Sequence, residues 1–230
     1  MSERAKLFNY IALPILLIVD IVYMILSGLW LKGVTSFIFV IIGVVNLLLA
    51  QKEGSGKSNF KYLMCIGLFI CFVADIILNI WFMIGAIIFA VGHIFYFVAY
   101  LTLCKFSWKD IVCGLCVAVP SVLVLVLYPF DYQGMFPVIV IYAMIISFMV
   151  GKAISLALFS EISKVSKTLI LTGSILFFLS DLALLFCMFG NGGVVADNIC
   201  LLTYYPGQGL LACSVYFTGN KKQEMISSEK

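Results

Sequence analysis

Asp20, Asp75, His93 and Asp181 each interrupt a long apolar run, and the stretch "CFVADIILNIW" around Asp75 shows the pattern best. An ionisable group at bilayer depth costs about 3 kcal/mol or more, so it normally faces a bundle interior or cavity and marks a functional site. Hydrogen-bonding residues accompany these four: Tyr96, Tyr204, Tyr205 and Gln208, with Asn79 and Ser180 close to the aspartates as further candidates. The chemistry such types offer is proton donation, or carriage of a proton across a membrane.

Spacing brings them toward one layer. Asp75 and Asp181 each lie fourteen residues beyond the start of their apolar runs, or ~21 Å at the rise of a helix. His93 and Tyr205, entering from the opposite side, are ~17 Å and ~12 Å down. His93, Tyr96 and Tyr100 share a helix face at i, i+3 and i+7. Gly85, Phe89, Gly92 and Tyr96 form an adjacent stripe that lets a neighbouring helix come close. Tyr205 and Gln208 are i, i+3, and Pro206 between them leaves the carbonyl of Leu202 as a spare acceptor. Asp75 and Asn79 are i, i+4. Asp20, with Tyr23 one turn away, fits an interhelical hydrogen bond as well as a functional role. A lone core histidine, or tyrosine and glycine stripes, would ordinarily mean packing; several costly residues at one depth favour a site.

The elements that must position these residues follow from composition. The chain has 230 residues, 64% apolar and 11% charged, against about half apolar and a quarter charged in soluble proteins. The apolar runs have the length that crosses a ~30 Å hydrocarbon core. Eight are expected, over about 8–30, 34–50, 61–80, 82–104, 110–129, 135–158, 167–189 and 197–218, so that 1–230 forms a single all-α polytopic membrane domain. The first run is too long for a signal-peptide core and lacks a small-x-small cleavage site after it. Basic residues cluster before the first run and in the 51–61, 105–109, 152–167 and 221–230 stretches, and only Lys32 of the fourteen falls on the other side. The positive-inside rule then puts both termini in the cytoplasm.

Other motifs carry less. "GKS" at 56–58 lacks the glycine of a phosphate loop, since position 51 is Gln, and no βα unit surrounds it. "CGLC" at 113–116 has redox spacing without a redox domain, and the eight cysteines read as small core residues. One histidine cannot build a typical catalytic zinc site, which takes about three protein ligands; no metal and no other cofactor are expected. "VADIILNIWF" followed by "GHIFY" echoes "LSDLALLF" followed by "YYPGQ". A four-plus-four parallel repeat would set the two aspartates at equal depth.

The ordered set Ala74-Asp75, "GHIFY" (Gly92 to Tyr96), Ser180-Asp181 and "YYPGQ" (Tyr204 to Gln208) resembles the YhhN family of integral membrane proteins, whose characterised members are lysoplasmalogenases. The likeness runs from about the third apolar run to the eighth. Ala74 stands where the family commonly has glycine, and "GVTSFIFV" lacks the family's Lys-Pro pair. The resemblance implies hydrolysis of the vinyl ether bond of a lysophospholipid to a fatty aldehyde and a glycerophospho-alcohol, in the cell membrane, with lysophospholipid and membrane lipid as partners and no nucleic acid. That reaction begins with protonation of the alkenyl β-carbon and passes through an oxocarbenium ion, a demand glycosidases meet with two carboxyl groups. It implies Asp75 and Asp181 as proton donor and cation stabiliser, in an order left open. His93, Tyr96, Tyr204, Tyr205 and Gln208 would orient water, ether oxygen or head group. Two nearby carboxyls in an apolar layer do not both ionise cheaply, so one is expected to hold a proton. The competing readings are a proton-coupled transporter or flippase, suggested by paired membrane aspartates and Pro206, and a non-enzymatic lipid-binding membrane protein.

Overall fold

The computed structural model describes residues 3–54 and 58–217. Gly56 and Lys57 of the "GKS" motif, Thr218 and the lysines at 221, 222 and 230 lie outside the described residues. The rest forms eight helices: α1 (Glu3–Leu26), α2 (Leu29–Lys52), α3 (Ser58–Leu78), α4 (Phe82–Leu103), α5 (Trp108–Leu127), α6 (Phe136–Phe159), α7 (Lys164–Phe189) and α8 (Gly193–Phe217). Leu, Ile, Val and Phe fill each run, and short polar or glycine breaks stop it. Ser27 and Gly28, both at positive φ, suffice to turn α1 into α2. Ser107 and Asp110 form a capping box that starts α5, the Ser107 amide donating to Asp110 Oδ2 at 2.7 Å.

Seven helices, α1 to α7, are long and apolar enough to cross a membrane. α8 is as long but less apolar, because Tyr204, Tyr205, Gln208 and Ser214 are buried inside the bundle. A helix enclosed by its neighbours needs less lipid-compatible surface than one at the rim.

The two tightest hairpins are α3–α4 and α7–α8. In the first, a Cβ on Gly85 would collide with the backbone of Leu78, so the glycine stripe of α4 sets how close α3 comes. α2 packs on α8 and α3, while α6 packs on α4 and α7. α1 packs on α2 and α8; α5 packs on α6 alone. Both described ends share one side of the bundle: Ala5 of α1, Ala50 of α2 and Tyr216 of α8 pack together, and the Ser166 hydroxyl donates to the Phe217 carbonyl. The far side is held by the α3–α4 turn, the α5–α6 loop and the end of α7, with the Asp131 amide donating to the Phe189 carbonyl at 2.9 Å.

Near the ends' side, buried polar pairs tie first helix to second in each half. Asn9 and Asn46 exchange amide hydrogen bonds of 2.8 Å between α1 and α2. Between α5 and α6, Lys152 meets Asp110 at 2.8 Å, both almost wholly enclosed. Lys152 therefore belongs to the interior of α6 and not to the α6–α7 loop.

Candidate acid site

Asp75 sits one turn from the far end of α3, where α2 and α8 converge on it. Lys32, in the first turn of α2, brings its ammonium to 3.0 Å from Oδ1. The hydroxyl of Ser36, one turn further along α2, donates to Oδ2, as does the Tyr205 phenol from α8 at 3.3 Å. The Asn79 amide serves the backbone, donating to the Asp75 carbonyl at 2.7 Å. Lys32 and Ser36 are not among the candidates that the sequence singles out. Lys32 reads there as a solitary loop cation; its isolation on the far side is the usable signal, because a lone cation in that position is well placed to pair with a membrane aspartate.

Asp181, midway along α7, is surrounded differently. Tyr142 of α6 donates to Oδ2 at 2.7 Å, and His93 Nε2 of α4 lies 3.2 Å from the same oxygen and 2.9 Å from the Tyr142 hydroxyl. Both contacts fall on Oδ2, and no lysine or arginine among the described residues takes part. Tyr142 also escapes sequence reasoning: in "VIVIYAMII" a single tyrosine looks like any aromatic packing residue. Ser180 turns away, its hydroxyl 3.7 Å from Cys200 Sγ.

Between the clusters lies a fully buried aromatic layer. The Tyr96 hydroxyl donates to Gln208 Oε1 at 2.8 Å. Phe177 stacks 4.5 Å from His93 and 5.4 Å from Tyr204, and Tyr204 rests edge-on against Phe39 and Phe89. Three polar atoms here have no hydrogen-bond partner although buried: His93 Nδ1, the Tyr204 hydroxyl and Gln208 Nε2. Such orphans cost about 1–3 kcal/mol each unless a water or ligand group serves them. Tyr100, on the same face of α4, bonds Ser174 instead at 2.9 Å. Asp20 is buried in α1 with Oδ1 unpartnered, while Tyr23 lays its ring against Tyr205.

Asp181 and Tyr142 open on a cleft with about 90 Å³ of free space, in the far half of the bundle. Its walls come mainly from α4, α5, α6 and α7 and are apolar apart from Asp181, Tyr142 and Ser121. Phe82 and Phe189, 5.5 Å apart, stand at its far end. Among the described residues no three His, Cys, Asp or Glu side chains come together as a metal site.

A bundle of long apolar helices enclosing two hydrogen-bonded acids defines a multi-pass, membrane-type helical protein. Residues 32–215 match the model of the YhhN family, and the chain belongs to that family. No curated protein and no solved structure matches it. The matched region begins at Lys32, so α1 and Asp20 lie before it.

Proposed function

We propose that this protein is a membrane-embedded hydrolase of the vinyl ether bond of lysoplasmalogen-type lysophospholipids. The observation that carries the reading is Asp181, gripped by Tyr142 and His93, in the wall of an otherwise apolar cleft. An acid there meets a hydrocarbon chain where it joins a polar glycerol.

In this reading Asp181 gives its proton to the alkenyl β-carbon. The α-carbon and ether oxygen then share the positive charge, and the Asp181 carboxylate faces it. A water adds to the α-carbon and returns a proton to Asp181. The resulting hemiacetal then breaks its carbon–oxygen bond to glycerol, its hydroxyl proton passing to the glycerol oxygen, and fatty aldehyde and glycerophospho-alcohol leave. Asp75, held in place by Lys32, Ser36 and Tyr205, is the second carboxyl, and it favours the cation. Tyr142 and His93 hold Asp181 in one orientation, and the unpaired donors of Tyr204 and Gln208 are suited to the water.

Purified protein in detergent should release aldehyde from an alkenyl lysophospholipid. A transporter, flippase or lipid-binding protein would give none, because no second compartment is present; absence of turnover would end the hydrolase reading.

Eight spans in the cell membrane, a four-plus-four repeat and cytoplasmic termini belong to the same reading. On a cysteine-free background, an impermeant thiol reagent applied to intact cells should label Asp131→Cys and spare Lys57→Cys. The reverse pattern would invert the orientation.

A further inference from the structure

α4 and α5 both wall the cleft, yet they do not pack on one another. α4 contributes Phe82, Ala86 and Phe89, and α5 contributes Ser121 and Leu125, all from the half of each helix away from the chain ends. At the comparable place in the first half, α1 packs directly on α8. Elsewhere α2 packs on α3 and α8 as α6 packs on α7 and α4, although α3 also touches α8 while α7 does not pack on α4. One seam is filled and its counterpart is left as a slot.

The slot is continuous with the apolar outer surface. Met83 and Ile87 of α4, and Val119, Leu123 and Val126 of α5, are exposed on the outer faces of the two helices. α5 is secured away from the slot: the buried Asp110–Lys152 pair holds its first turn, and its Gly114 meets Gly151 of α6 so closely that a Cβ on Gly151 would collide with the Gly114 backbone. Beyond Pro120, a residue that removes one rung of the helix ladder, α5 is tied by a 3.5 Å contact between the Ser121 and Ser147 hydroxyls, by the Tyr132 hydroxyl on the Leu125 carbonyl at 2.5 Å, and at its end by the Tyr128 ring against Phe186.

We infer that the α4–α5 slot is a lateral port through which the hydrocarbon chain of a single-chain phospholipid passes from the bilayer into the cleft. The occupant follows from the medium: apart from Ser121 the slot is apolar, the outer faces of both helices are apolar too, and hydrocarbon chains surround a membrane bundle. The leaflet follows from the side, since the slot lies in the half opposite both described ends, which is the outer leaflet if the termini are cytoplasmic. This rests on the hydrolase reading only for the identity of the chain's head; the port itself concerns binding.

The test is photolabelling in oriented proteoliposomes. The probe is a saturated lysophosphatidylcholine carrying a diazirine in its chain, which no vinyl ether hydrolase can cleave, presented in one leaflet at a time. Labels should fall on the cleft-facing residues of α4 to α7 when the probe is in the leaflet opposite the termini. Ala86→Phe, and independently Ser121→Phe from the facing wall, should lower labelling about tenfold or more by overfilling the slot. Ile11→Phe, on the lipid-facing side of α1, should leave it unchanged. Labels on α1, α2 or α8, equal labelling from either leaflet, or labelling that folded plug variants keep would each overturn the port. The wild-type map decides even if a plug variant does not fold. If the slot is labelled but an alkenyl lysolipid yields no aldehyde, the port stands and the hydrolase reading fails. Aldehyde release with labels elsewhere means the reverse: the hydrolase stands and the port fails.

Discussion

Asp75 and Asp181 are 106 positions apart, and each lies on the first helix of a tight hairpin. Each accepts a hydroxyl from the helix before, Ser36 on α2 and Tyr142 on α6, again 106 apart. Each also meets a residue from the other half's return helix: Tyr205 reaches Asp75, and His93 reaches Asp181. The difference lies one turn earlier. Lys32 precedes Ser36 by four residues, whereas Val138 precedes Tyr142 by four. The lysine gives Asp75 a cation; the valine gives Asp181 none and lines the cleft instead. One scaffold thus carries a carboxyl anchored by a cation from within and another left to face a guest. An acid that must meet a guest gains from that second arrangement, because no ammonium competes for its oxygens.

The strongest way to break this comparison is to remove each acid. Asp181→Asn and Asp75→Asn should each lower aldehyde release by about 10²–10⁴-fold; both should fold in detergent, Asp181→Asn with little change in melting and Asp75→Asn with a lower melting temperature because it strands Lys32. The double variant should be hardly worse than either, as expected of residues acting in one step. Multiplying losses would mean two independent sites, and near-normal activity in a folded single variant would end the paired-acid mechanism.

Lys32→Met should separate the clusters by stability. Breaking a buried ion pair costs about 3–5 kcal/mol because the remaining charge is stranded. Adding Asp75→Asn to Lys32→Met should recover most of the lost melting temperature, whereas adding Asp181→Asn should recover none. Equal recovery from both would show that Lys32 serves the two acids alike.

The smallest effect is expected at Tyr142→Phe, which removes one hydrogen bond to Asp181. A loss of about 1–2 kcal/mol, roughly tenfold in turnover, is expected with little change in melting. A fall as deep as that of Asp181→Asn would move Tyr142 from holding the acid to sharing the chemistry.

The helices are legible in the sequence because hydrophobic runs and short breaks are local signals; observed ends differ from the expected ones by a few residues. α1 differs most, beginning at Glu3 and not near 8, since its first turn is polar but still helical. Asp75, His93 and Asp181 are legible because charge is conspicuous against lipid. Ser36 and Tyr142 are not, because a serine or tyrosine in an apolar run carries no cost that betrays a partner. Lys32 passes for a loop charge, and Lys152 for a charge at the end of its span, for one physical reason: a long aliphatic stem lets an ammonium sit near a helix end or reach inward, and hydropathy cannot tell which.

The Lys32–Asp75 pair also has a history. The chain makes Lys32 first, and Asp75 follows 43 residues later, about 2–9 s at ordinary rates of synthesis. During that interval α2 must leave the insertion machinery carrying a bare ammonium, at a cost of up to about 3 kcal/mol. Arrival of α3 cancels it. Entering lipid beside α3 would spare α2 that cost, because the pair would then cross with its charges already matched.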